Sequence, residues 1–171
     1  MGLSIEEKVA RDFAVRAHGD QRYGVDPYVV HLDEVHDIAV EFGLPTEYRV
    51  AAFLHDTIED TGTTVALIEA GFGIDIAQLV VTVSGFGPNR RARIADAEIK
   101  MVAHPRGVPL KLCDRIANGR ACLRQQSPVK LLAMYTREYP DFRAALYKPS
   151  QRSGFDCTAL WAELDRIFEA R

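Results

Sequence analysis

Apolar positions along the chain recur mostly at intervals of three and four, the spacing of half-buried helices. Val9, Phe13 and Ala17, with Ala10 and Ala14, hold that spacing up to about His18. Ser4 followed by Glu7 forms a capping box at the start. The polar stretch "HGDQRYGVDP" (residues 18–27) carries two glycines and a proline and predicts a turn region. A second helix follows, with Val30, Val35, Ile38, Ala39 and Phe42 on its apolar side, and stops at "FGLP". Thr46 caps a third, "EYRVAAFLHDTIED", read as one helix through residue 60. "TTVALIEAGFG" predicts a short fourth helix ending at Gly71 or Gly73. "IDIAQLVVTVS" suits a fifth helix or, by its β-branched run, a strand.

After the loop "GFGPNRR", "ARIADAEIKMVAH" is helical and Pro105 to Pro109 breaks the chain. "LKLCDRIANGRACL" returns to helical period. Ser127-Pro128 reads as a cap with proline at the first helical position. It starts "VKLLAMYTREY", followed by a further turn or two in "PDFRAALY" and a loop "KPSQRSGFD". The last helix offers Leu160, Trp161, Leu164, Ile167 and Phe168 to a core. The expectation is one mostly helical domain over 1–171, without internal repeat or linker.

Composition narrows the class. The chain has 171 residues, 47% of them apolar, enough for a hydrophobic core. A net charge of −3 argues against a general nucleic-acid binder. No apolar run reaches membrane-spanning length. The charged, amphipathic opening "MGLSIEEKVARDF" does not resemble a signal peptide, so a cytoplasmic location is expected. Cys113, Cys122 and Cys157 lack CxxC spacing and fit reduced thiols. Oligomeric state is not readable.

Against this background "FLHDTIEDT" stands out, with His55, Asp56, Glu59 and Asp60 within six residues. On one helix, His55 lies beside Glu59 and Asp56 beside Asp60, the two pairs about 100° apart. Carboxylates this close raise one another's pKa unless a cation relieves them. A solvated helix end is the alternative, but the macrodipole disfavours negative charge there. Partners must come from elsewhere. His31 in "PYVVHLDEV" reads alone as a surface or satisfied histidine. Asp114, in the apolar "LKLCDRIAN", needs a partner, for which Arg115 next door is one choice. Together His31, His55, Asp56 and Asp114 make a set of two imidazoles and two carboxylates suited to Mn²⁺, Fe²⁺ or Zn²⁺. Such a set lowers the pKa of a bound water, and Glu59 and Asp60 are candidates to orient that water or take its proton. That is equipment for hydrolysing a phosphate ester.

His31, then the pair His55-Asp56, then Asp114 resembles the H…HD…D pattern of the HD phosphohydrolase superfamily. "LHDTIEDT" resembles the HDxxED motif of Rel/SpoT-type alarmone hydrolases. "AHGDQR…PYVVH" is similar to that family's AHxGQxR…PYixHP segment, and "LKLCDRIANGR" to its vKLaDRLxNxR. The three motifs run in order over residues 8–124, and the short C-terminal extension (about 127–171) is similar to that of stand-alone small alarmone hydrolases. The resemblance implies an all-α, single compact HD-domain helical bundle that removes the 3′-pyrophosphate of (p)ppGpp with Mn²⁺. It implies His31, His55, Asp56 and Asp114 as metal ligands and Glu59 and Asp60 as the pair acting on the attacking water. It further implies Asn118 facing the nucleotide's sugar and Arg22 against its base or phosphate.

The substrate shell departs from the pattern. "RYGVDPY" stands for RKSGxPY, so Tyr23 replaces a lysine expected near substrate phosphates and Gly24 a serine. Ala121 lacks a hydroxyl, and Leu32 stands for a proline. Lys111 and Arg115, one turn apart beside Asp114, reach either a phosphate or carboxylates. Arg90, Arg91 and Arg93 read as a solvated basic loop or a phosphate contact. His18 reads as a packing residue, and His36 and His104 as surface. The substrate expected is a guanosine or adenosine alarmone. The alternatives are another nucleotide (NADPH, a dNTP or a nucleoside monophosphate) or a metal-nucleotide sensor without turnover.

Overall fold

The structure, a computed structural model, describes residues 2–124 and 129–168. α1 (Ile5–His18) carries the capping box: the Glu7 amide donates to Ser4 Oγ at 3.2 Å, and the Ser4 amide to Glu7 Oε2 at 2.6 Å. A tight hairpin follows, Arg22–Tyr23 (β1) antiparallel to Asp26–Pro27 (β2), with Tyr23 opposite Asp26. The sequence showed only a turn here, because two-residue strands have no periodicity to read. α2 (Val29–Glu41) and α3 (Thr46–Leu54) pack on each other and on α1.

The single helix expected through residue 60 is two. α3 ends at Leu54, His55 and Asp56 form the link, and α4 covers Thr57–Asp60. Asp56 sits at φ −99°, ψ −6°, off the helical minimum. Thr57 Oγ1 donates to the Leu54 carbonyl at 2.7 Å, giving that helix end a side-chain partner. Thr46 is the first helical residue rather than the cap, which is Pro45.

α5 (Val65–Phe72) is capped by Thr64, and α6 (Ile74–Val83) is a helix despite its β-branched run. Burial of Ala77, Leu79, Val80 and Val83 on one face decides this over propensity. α7 (Arg90–Ala103) is capped by Asn89. A 3-10 turn, Pro105–Gly107, leads into α8 (Val108–Leu123), whose first turn accommodates Pro109, a residue expected to break the chain. α9 (Val129–Ser150) runs through Pro140 as one helix, where two pieces and an earlier loop were expected. The Ser127-Pro128 cap lies outside the described residues. α10 is Thr158–Phe168.

α8 is the central helix. Leu110, Leu112, Cys113, Ile116 and Ala117 are fully buried, and α2, α9 and α10 pack around it. Trp161 joins the core and donates from Nε1 to Ser150 Oγ at 2.9 Å. The three cysteines are buried thiols. No described helix is long and apolar enough to cross a membrane.

Gly119 is where α8 and α10 approach most demandingly. A Cβ there would lie 2.8 Å from Ile167 Cγ2 and 2.9 Å from Phe168 Cζ. Gly119→Ala is therefore expected to destabilise by about 1–3 kcal/mol through overpacking, lowering Tm by roughly 3–10 °C in thermal unfolding. An unchanged Tm would mean that α10 does not seat on α8 this closely.

Candidate metal centre

His31 lies in the first turn of α2, His55 and Asp56 in the α3–α4 link, and Asp114 in the middle of α8. Crossing of these three elements brings together residues from three places distant in sequence. His55 Nδ1 donates to the Ala52 carbonyl at 2.8 Å, which fixes the tautomer and leaves Nε2 with a free lone pair. That Nε2 is buried without a hydrogen-bond partner, 3.0 Å from Asp56 Oδ2 and 3.8 Å from Asp114 Oδ1. His31 Nε2 lies 3.5 Å from Asp56 Oδ2 and 3.4 Å from Asp114 Oδ1.

Ligand atoms about 2.1 Å from a common ion sit roughly 3.0–4.2 Å apart, and the four separations (3.0, 3.4, 3.5 and 3.8 Å) fall in that window. His31, His55 and Asp56 alone bring one ligand atom each within 4.8 Å of one another. The residues present fit a divalent transition metal.

The electrostatics point the same way. Burial works against a charged His31, yet Asp114 and Asp56 outweigh it and push the ring up to about 9. His55 is also raised, burial being outweighed by Asp56 and Asp114. Burial would raise both carboxylates, but Lys111 and His31 hold Asp114 well below its usual range, and His55 and His31 do the same for Asp56. The cage thus stabilises positive charge at its centre.

The supporting contacts differ from those the sequence suggested. Asp114 pairs with Lys111 at 2.8 Å and accepts from Asn118 Nδ2 at 2.6 Å, not with Arg115. Arg115 turns toward α9 instead, while lining the same cleft as Lys111, Asp114 and Asn118. It pairs with Glu138 at 3.2 Å and stacks on Tyr135 and Phe142. Asp56 accepts from Tyr28 Oη at 2.6 Å. Sequence reasoning missed Tyr28 as a site residue, although its spacing of three from His31 places both at the start of α2.

Glu59 and Asp60 do not share faces with His55 and Asp56 in the way one helix would give. Glu59 Oε2 accepts from the Gly85 amide at 2.8 Å, and its Oε1 lies 3.7 Å from Arg93 Nε. It lines a cleft with Arg90, Arg93, Lys111, Asp114 and Asn118. Gly85 also lets α7 pack close against this loop, since a Cβ would meet the Arg93 carbonyl at 2.3 Å. A backbone donor in a loop leaves no signal in sequence.

Asp60 is exposed and accepts from Gln21 Nε2 at 2.9 Å. Gln21 Oε1 lies 2.8 Å from His18 Nδ1, so that nitrogen carries the proton and donates. His18 is buried and stacked on Tyr28 at 4.3 Å, the packing role expected. Tyr23 bonds Asn118 at 3.0 Å, and Arg22 is exposed on β1. Arg90 is no freely solvated loop residue, since it makes two 2.9 Å bonds to Glu138. His104 is exposed, but His36 is buried, stacked on Phe53 at 4.6 Å and 3.4 Å from Glu7, where a surface position was expected.

Residues 10–138 match the HD domain family. The chain belongs to that family. The matched stretch includes His31, His55, Asp56 and Asp114. Among relatives, 115 residues are 36% identical to the guanosine-3′,5′-bis(diphosphate) 3′-pyrophosphohydrolase of Aquifex aeolicus, covering 64% of this chain and 16% of that one. Over 121 residues it is 39% identical to the bifunctional (p)ppGpp synthase/hydrolase SpoT of Escherichia coli, covering 66% and 17%. The probable GTP pyrophosphokinase of Mycobacterium leprae is 34% identical over 125 residues, covering 69% and 16%. The chain spans about a sixth of the length of these relatives. A solved structure of a metazoan ortholog of SpoT superposes with a TM-score of 0.76 at 24% identity, covering 100% of this chain and 98% of the other. It shows that the HD fold is shared along the whole length.

A filled cage should stabilise the fold. Mn²⁺ at about 100 times its Kd adds about 2.7 kcal/mol, a Tm rise of roughly 5–11 °C. His55→Ala and Asp56→Ala should each abolish that rise in a thermal-shift titration. A rise that survives both would place the ion elsewhere.

Proposed function

We propose that this HD-domain chain is a metal-dependent phosphohydrolase that removes the 3′-pyrophosphate of a guanosine or adenosine alarmone, (p)ppGpp or (p)ppApp. The observation that carries the reading is the buried cage of two imidazoles and two carboxylates opening beside a cleft that holds Glu59 among cations. Support for the substrate comes from the relatives named for ppGpp hydrolysis.

His31, His55, Asp56 and Asp114 are the ligands in this reading, and Mn²⁺ is the ion proposed. A bound ion would supply a water of lowered pKa and offset charge on the phosphate. Glu59 and Asp60 handle that water's proton. Each is already oriented by a donor, Glu59 by the Gly85 amide and Asp60 by Gln21. Arg93 and Lys111 line the same cleft and meet phosphate charge there. Arg115 is engaged with Glu138, so it steadies the cleft wall rather than reaching a phosphate. The nucleotide is the proposed partner, the chain acts as one HD unit over 1–171, and the cytoplasm is the compartment proposed.

The test is release of pyrophosphate or phosphate with Mn²⁺ from ppGpp, ppApp, NADPH and dNTPs. Turnover confined to the 3′-pyrophosphorylated nucleotides is expected. Asp56→Ala should lose metal and activity together. Glu59→Gln should keep the metal-dependent Tm rise and lose about 100-fold or more in kcat. Wild-type turnover in Glu59→Gln would remove Glu59 from the chemistry. Turnover of NADPH or dNTPs alone would exclude the alarmone.

A further inference from the structure

Tyr23 stands at the hairpin tip next to the metal centre, and its surroundings leave it little to offer a ligand. One face of its ring is stacked on His31, centroids 4.7 Å apart and 20° between planes. Its hydroxyl donates to Asn118 Oδ1 at 3.0 Å. Burial raises its pKa above the ordinary tyrosine value, so the hydroxyl keeps its proton and stays a donor.

The orientation of Asn118 follows from counting its hydrogens. Nδ2 donates to the Asp114 carbonyl at 3.0 Å and to Asp114 Oδ1 at 2.6 Å. Both amide protons are engaged, so Oδ1 faces away from Asp114, where the Tyr23 hydroxyl meets it. Asp114 Oδ1 in turn faces His31 Nε2 at 3.4 Å. Tyr23, Asn118, Asp114 and His31 therefore close a ring of contacts joining β1, α8 and α2. Tyr28 supports the opposite carboxylate directly, donating to Asp56.

From this ring we infer that Tyr23 is a positioning residue of the metal centre, holding Asp114 through Asn118 and His31 through stacking, rather than a substrate contact. The inference rests on the metal site proposed above. It has a consequence for the ligand as well. Asn118 has no free proton and one remaining lone pair, so a sugar hydroxyl meets it only as a donor.

The test compares Mn²⁺ affinity and steady-state kinetics in wild type and Tyr23→Phe, which removes the hydroxyl and keeps the ring. Supporting contacts to metal ligands typically change affinity about 10- to 100-fold. One bond further out, Tyr23→Phe should weaken the Mn²⁺ Kd about 3- to 10-fold. kcat at limiting Mn²⁺ should fall in step, with KM for the nucleotide within about twofold. In Asn118→Ala, adding Tyr23→Phe should weaken Mn²⁺ no further, since the bond it removes is already gone. A Tyr23→Phe Kd within about twofold of wild type, or a rise in KM at unchanged Kd, would overturn the inference and make Tyr23 a substrate contact. The Kd comparison needs no substrate, so it decides the point even if wild type turns over none of the nucleotides above. Absence of Mn²⁺ binding in wild type would instead strike the metal reading itself.

Discussion

Burial of two carboxylates against two imidazoles is the constraint around which the chain is arranged. Asp56 and Asp114 sit in a region that excludes most water, where an unpaired charge is costly. The imidazoles and Lys111 offset part of that charge. Geometry adds to this, because each imidazole Nε2 lies 3.0–3.8 Å from an oxygen of both carboxylates, and His31, His55 and Asp56 bring one candidate ligand atom each within 4.8 Å of one another. Around this point each element is constrained. α2 must place His31 in its first turn, α3 must end just before His55, and α8 must carry Asp114 inward on an otherwise apolar face.

The layers outside the cage serve the same end through hydrogen-bond direction. Tyr28 aims Asp56, Asn118 aims Asp114, and the Ala52 carbonyl selects the His55 tautomer. Glu59 and Asp60, by contrast, are held from outside the cage, one by a loop amide and one by Gln21. The result keeps Glu59 and Asp60 apart from the four residues of the cage. Arg90 and Arg115 converge on Glu138 from α7 and α8, so the cleft wall stays in place while Arg93 and Lys111 remain beside the cage.

Much of this was legible in the sequence. Ser4 and Glu7 gave the first cap, and helical spacing gave most elements. The family motifs named the residues that the fold brings together. What could not be read has a common physical origin. The break at His55-Asp56 depends on side-chain bonds such as Thr57 to Leu54, which helical periodicity cannot reveal. The helix through Pro140 and the choice of helix for α6 were settled by packing, which overrides local propensity. His36 appeared isolated because Glu7 and Phe53, its neighbours in space, are far away in sequence. Asp114 found Lys111 rather than Arg115 because residues three apart share a helix face and adjacent ones do not.

The central claim is that one divalent ion occupies the point where α2, the α3–α4 link and α8 cross. Anomalous diffraction from a crystal soaked in Mn²⁺ tests it most directly. The account predicts one strong peak about 2.0–2.3 Å from His31 Nε2, His55 Nε2 and carboxylate oxygens of Asp56 and Asp114. A fully occupied Mn²⁺ peak elsewhere, with none at this point, would contradict it.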